Sequence, residues 1–303
     1  MRQSKTISPL AWALLALLAL IWGGSFLSIR IALDEVGVFT SVAHRTGWAM
    51  CLLWGYVWLR ALPVPREIGV WGSFLIMGLL NNVIPFSLMA WGQLTIESGL
   101  TSILNAATAI FGVVIAAIFF ADEHLSARKL IGVVIGFLGV ATAIGLEHLL
   151  AFDLRSLAQL AIIGGTISYA FAGVWGRKQL SGLAPEVAAA GMLTGSTLII
   201  LPAAWYLEGP ITLALEPITW LAIGYYVVIA TALAYLLYYR ILAIAGSGNL
   251  MLVTLLVAPI AILLGALVLG ETLHPRAYVG FALLALGLLI LDGRAVDALR
   301  RAK

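Results

Sequence analysis

Long stretches without a single Asp, Glu, Lys or Arg divide this chain. They cover 6–29, 68–96, 98–121, 130–146, 156–176, 187–207, 217–239, 241–270 and 277–291, and 36–59 is equally apolar apart from Arg45. Most approach the ~20 residues an α-helix needs to cross a ~30 Å hydrocarbon core. Stretch 277–291 reaches that length if its helix begins near Leu273. None alternates apolar and polar residues with period two, as barrel strands would. The pattern predicts ten membrane-spanning helices. The first stretch is too long for a cleavable signal peptide and has no small-x-small site after it, so it is expected to be the first of them.

Composition agrees with the pattern. Of 303 residues, 62% are hydrophobic and 10% charged, with mean hydropathy +1.07. A soluble domain carries about a quarter charged residues to clothe its surface. The expected class is therefore an all-α polytopic membrane protein with the lipid bilayer as its surroundings. A net charge of +3 without basic residues interleaved with aromatics gives no reason to expect nucleic acid. Cys51 is the sole cysteine, which excludes an internal disulfide and a cysteine-based zinc site. The four histidines, at 44, 124, 148 and 274, have no metal-ligand spacing, and no cofactor is expected.

Lys and Arg in the connections set the orientation. With the N-terminus in the cytoplasm, thirteen of them fall inside and only Arg30, Arg155 and Arg276 outside. Both termini are then cytoplasmic, as an even number of spans requires.

The chain also repeats itself. Glu123, Leu125, Arg128, Gly132 and Gly139 match Glu271, Leu273, Arg276, Gly280 and Gly287 at a constant offset of 148. Two units of five helices, 1–150 and 151–303, are expected. Five is odd, so the second unit would enter the membrane from the opposite side. Inverted repeats of this kind typically build carriers with a midplane site between the halves.

Trp22-Gly23-Gly24-Ser25, the pattern Gly270-Glu271-Thr272-Leu273, and Pro259 eleven residues before Gly270 resemble the EamA units of the drug/metabolite transporter superfamily. In the first unit Asp122 stands where that pattern has Gly, a minor departure. The resemblance covers nearly the whole chain. It implies a ten-helix inner-membrane exporter of small metabolites with a central cavity between its halves. Within the superfamily the general likeness is greatest to bacterial exporters of aromatic amino acids.

Inside the spans, polar groups mark candidate contacts. All fourteen carboxylates lie in loops or at helix ends, so an acid-based proton relay is not expected. His44 and Arg45 are the titratable groups at depth. Two readings fit them: a substrate-carboxylate or gating contact, or Arg45 held by backbone carbonyls with His44 satisfied against a neighbouring helix. Asn81 and Asn82 share the centre of their stretch, and Pro85 disturbs the helix one turn later. Thr101, Asn105 and Thr108 share one face of the fourth helix, and Tyr169 and Tyr235 lie on similar stripes in the sixth and eighth, with Tyr225 beside the latter. Such stripes serve either as helix–helix contacts or as a shared cavity. Trp22, Ser25, Asn81, Asn82, Thr101, Asn105, Thr108, Tyr169, Tyr225 and Tyr235 are the expected substrate-binding residues. His44, Arg45, Pro85 and Pro259 are candidates for gating.

Two function classes fit the sequence unequally. A membrane enzyme would need a buried nucleophile–base or metal-ligand cluster, and no such spacing occurs. A carrier of small organic solutes, most simply amino acids, working by alternating access fits better, and ten helices of a single chain suffice to enclose the site. Transporters of phosphorylated sugars, nucleotide sugars or drug-like organic cations are the alternative, but a phosphate calls for several buried cations and only Arg45 qualifies. Without a buried acid, downhill movement is expected, with His44 the one group at depth that ordinarily titrates near 6.5.

Overall fold

The computed structural model describes residues 7–96, 98–150, 153, 156–269 and 274–292. Among them there is no strand. Helix α1 runs Pro9–Gly23 and, after a kink at Gly24, Ser25–Leu33. It is followed by α2 (Val38–Leu59), α3 (Ile68–Gln93), and α4 in two pieces (Ser98–Ala106 and Thr108–Phe119). Then come α5 (Ala127–Ile144), α6 (Leu157–Gln179) and α7 (Pro185–Glu208). Next are α8 (Pro217–Ala245), α9 in two pieces (Ser247–Met251 and Val253–Leu269) and α10 (Pro275–Asp292).

Six of these, α1, α3, α5, α6, α7 and α8, are long and apolar enough to cross a membrane. The sequence pattern predicts ten. The others fall short for local reasons: α2 carries His44 and Arg45 among its 22 residues, α4 and α9 break at Ala107 and Leu252, and the apolar part of α10 is the shorter Pro275–Leu291. The motif Gly270-Glu271-Thr272-Leu273, together with Glu97 and Arg155, lies outside the described residues.

Helix starts follow the sequence. Ser8 Oγ accepts from Ala11 N at 3.2 Å with Pro9 at the first helical position, and Ser126 Oγ accepts from Lys129 N at 3.2 Å. These side chains satisfy donors that the helix itself leaves unpaired.

Two helices change register at mid-length. Leu79–Val83 in α3 and Tyr225–Leu233 in α8 are π-helical. Pro85 explains the first: it has no N–H to return to an upstream carbonyl. Leu80 O instead receives Ser168 Oγ from α6 at 2.7 Å. The disturbance thus becomes a helix–helix bond rather than an orphaned acceptor.

Helix α5 packs closely against α10 through glycines. A Cβ built on Gly132 would stand 2.8 Å from Gly287 O, and one on Gly139 would stand 2.8 Å from Gly280 O. Backbones approach this closely only where no side chain intervenes.

Candidate functional site

Between α1, α2, α3, α4, α6, α8 and α9 lies a cavity that offers about 100 Å³ to the centres of water-sized molecules. One water needs about 10–15 Å³ on that measure, so the space suits a small solute. Its wall is mixed. Trp22, Phe86, Tyr169, Tyr235 and Tyr238 supply rings, and Ser25, Ser41, Asn81, Gln93, Asn105, Thr108 and Thr254 supply neutral polar groups. Met89, Met251, Val42 and Val257 add apolar surface, and Arg45 is the one charged residue among the described residues lining it.

The rings hold one another at fixed angles. Tyr235 and Tyr238 meet edge to face with centroids 5.9 Å apart, and Phe86 meets Tyr169 likewise at 6.4 Å. Trp22 is anchored by Nε1–H donating to Ala230 O at 3.0 Å, a carbonyl in the π-helical segment of α8. Arg45 reaches the same segment: Nε donates to Thr231 Oγ1 at 2.8 Å and Nη2 to Ala230 O at 3.3 Å. Thr231 Oγ1 in turn donates to Tyr226 O, five residues back, at 2.6 Å. The altered register of α8 therefore aims acceptors at α1 and α2 that an ordinary helix would keep for itself.

Adjacent residues separate sharply. Both asparagines are buried, but Asn81 lines the cavity, with Nδ2 donating to Met192 Sδ at 3.4 Å, whereas Asn82 is not among the lining residues, donates through Nδ2 to Ser196 Oγ at 2.7 Å and accepts from Tyr235 Oη. Asn82 thereby joins α3, α7 and α8. Arg45 lines the cavity, while His44 takes Trp48 Nε1–H on its Nδ1 at 3.1 Å and stands edge-on to Trp220. Of the α4 face, Asn105 and Thr108 line the cavity and Thr101 is buried apart from it. Tyr225 Oη donates to Ile21 O at 2.9 Å across the kink of α1, where a Cβ on Gly24 would collide with it. Pro85 packs against Gly165 of α6, and Pro259 is buried within α9; neither is among the lining residues.

Sequence reasoning missed Ser41, Phe86, Gln93, Met251 and Thr254 as lining residues. Ser41 lies one turn before Arg45, so extending the polar face of α2 would have found it. Phe86 carries no polar signal at all.

The model of the EamA-like transporter family matches residues 10–145 and again 156–291. The chain belongs to the EamA-like transporter family. Relatives of this EamA-like transporter include a protein of Streptantibioticus cattleyicolor named a probable terminal-alkyne amino-acid exporter. It is 26% identical, over 98% of this chain and 97% of its own length. An uncharacterized transporter of Archaeoglobus fulgidus is 29% identical over 78% of this chain and 81% of its own. A solved crystal structure at 15% identity shares the fold, with a TM-score of 0.76 over 93% of this chain and 96% of that one. The protein is thus a multi-pass membrane transporter rather than an enzyme. Among the described residues no group of three or more His, Cys, Asp or Glu could hold a metal ion.

This EamA-like transporter has a second polar cluster, just past the end of α4. Glu123, 9% exposed, accepts from Ser247 N and Ser247 Oγ at 3.0 Å each and from Gly248 N at 2.8 Å. It also pairs with Arg177, which reaches Asp122 at 2.5 Å. Gly246, at φ +85°, makes the turn that brings these amides onto the carboxylate. The cluster ties together the ends of α4 and α6 and the start of α9.

Proposed function

We propose that this protein exports small metabolites, chiefly amino acids including aromatic ones, across the bacterial inner membrane by alternating access. The observation that carries the reading is the cavity itself. It is walled from both halves of the chain by rings and neutral polar groups suited to a small amphipathic solute. The full-length likeness to a relative named as an amino-acid exporter supports the substrate class. Aromatic members of that class rest on the ring-rich wall and on the resemblance drawn from the sequence.

The same proposal takes the chain as two inverted five-helix units, 1–150 and 151–303, with ten spans, both termini cytoplasmic and one chain sufficient. Contacts between α5 and α10 support it: under the offset of 148 the approach of Gly132 to Gly287 maps onto that of Gly280 to Gly139. Antiparallel partners related by a two-fold axis in the membrane plane must show such exchanged pairs. Single cysteines at positions 36, 97, 152, 210 and 274 are expected to react with an impermeant reagent from outside in intact cells. Reaction only after permeabilisation would overturn that topology.

Phosphorylated sugars and nucleotide sugars fit less well, because a single lining cation among the described residues is a poor match for phosphate groups. The direct test is counterflow in liposomes holding the purified protein, with a panel of labelled amino acids. Phenylalanine and tyrosine are expected to enter preloaded vesicles faster than protein-free ones, without an imposed pH gradient. No counterflow of any amino acid would reject the substrate class.

A further inference from the structure

The cavity wall holds a charge that no carboxylate among the described residues neutralises. Arg45 is 7% exposed, and its hydrogen bonds among the described residues go to Thr231 Oγ1 and Ala230 O, both uncharged. Phe86 covers one face of the guanidinium, its centroid 3.9 Å from Cζ. The ion pairs among the described residues, Arg30–Asp34, Arg177 with Asp122 and Glu123, and Arg276–Glu147, lie elsewhere, at helix ends and in connections. A guanidinium carries five N–H donors, so three have no partner among the described residues. A buried cation left with neutral partners is costly. Within a membrane it is kept where something completes it.

What completes it follows from its shape and its neighbours. A planar fork of donors matches the two oxygens of a carboxylate, which a lysine would meet only as a point charge. Among the described residues no acidic side chain lines the cavity. An ammonium group on the same solute would meet ring faces such as Trp22 and Tyr169, and Asn81 Oδ1, which has no hydrogen-bond partner among the described residues.

We propose that Arg45 is the specificity-determining residue of this transporter, binding the carboxylate of solutes that pair it with an apolar or aromatic body. Amides of those acids and organic cations are rejected, the first for want of a carboxylate and the second by repulsion. The proposal rests on the reading of this cavity as the substrate site.

The test titrates the purified full-length protein in detergent with phenylalanine, 3-phenylpropionate, phenylalaninamide and phenethylamine. Wild type is compared with Arg45→Lys and Arg45→Gln. The two acids are expected to bind at least about tenfold tighter than the amide and the amine, the scale of a charge-assisted hydrogen bond. Arg45→Gln should abolish that preference, and Arg45→Lys should keep part of it. Equal binding of acids and amides by the wild type, or no binding of either, overturns the proposal. So does an undiminished preference in Arg45→Gln with its melting temperature unchanged. If Arg45→Gln does not fold, the wild-type preference and its weakening in Arg45→Lys decide. Liposome flux separates this from the carrier reading. Acid-selective binding without flux rejects the carrier and leaves the anchor standing; equal flux of amino acids and their amides does the reverse.

Discussion

Arg177 and Arg45 are both drawn out of bulk water, and their surroundings differ in kind. Arg177, in the last turn of α6, meets Asp122 and Glu123, and Glu123 shares its carboxylate with the amides that open α9. Every charge in that cluster has an opposite charge or a set of dipoles facing it. Arg45 has a hydroxyl, a carbonyl and a ring face, and beside them a cavity. A charge answered by the protein holds helices together. One left for a solute to answer confers recognition at the expense of the unliganded fold.

Stability should separate the two regions, most of all at the clamp. Glu123→Ala removes the partner of Arg177 and orphans the first amides of α9. It is expected to lower stability by about 3 kcal/mol, combining a lost buried partner with a lost cap, read as a lower melting temperature in detergent. Arg177→Gln should cost less, about 1 kcal/mol, because Glu123 keeps its amide donors. If the two substitutions cost the same, the amide cap contributes nothing and the cluster is an ion pair alone.

At the cavity the order reverses. Arg45→Gln deletes two bonds to neutral acceptors but also removes a desolvated charge, so stability should stay within about 1 kcal/mol of wild type while amino-acid flux is largely lost. A collapse in stability matching that of Glu123→Ala would make Arg45 a structural clamp as well and erase the contrast. The smallest effect is expected next door. His44→Gln should retain a substantial fraction of flux, because His44 is engaged by Trp48 and Trp220 and is not among the lining residues. Flux abolished in folded His44→Gln would instead reveal a proton relay.

The sequence made the helices legible because lipid-spanning segments exclude charge, and it marked Asn81, Asn82 and Pro85 as a singular place in α3. It did not tell the two asparagines apart. Neighbouring helical residues point about 100° apart, and the π-helical turn at Leu79–Val83 adds a local rotation that no periodicity reports. The same one-residue ambiguity separates His44 from Arg45, and the break at Ala107 separates Thr101 from Thr108. Phe86 was invisible for another reason: an apolar ring in an apolar helix carries no mark of what it faces. Polar stripes reveal that a helix has a partner, but only packing decides whether that partner is another helix or a space.

If solute crosses through the cavity, filling that cavity must stop it. Ala90 on α3 lines the cavity and is 5% exposed. Counterflow of labelled phenylalanine would be measured in liposomes holding wild type or Ala90→Phe, the variant first shown to elute as a single folded species. Wild type is expected to exchange phenylalanine, and the filled variant is not. Equal exchange by the folded variant would contradict this and place the path elsewhere.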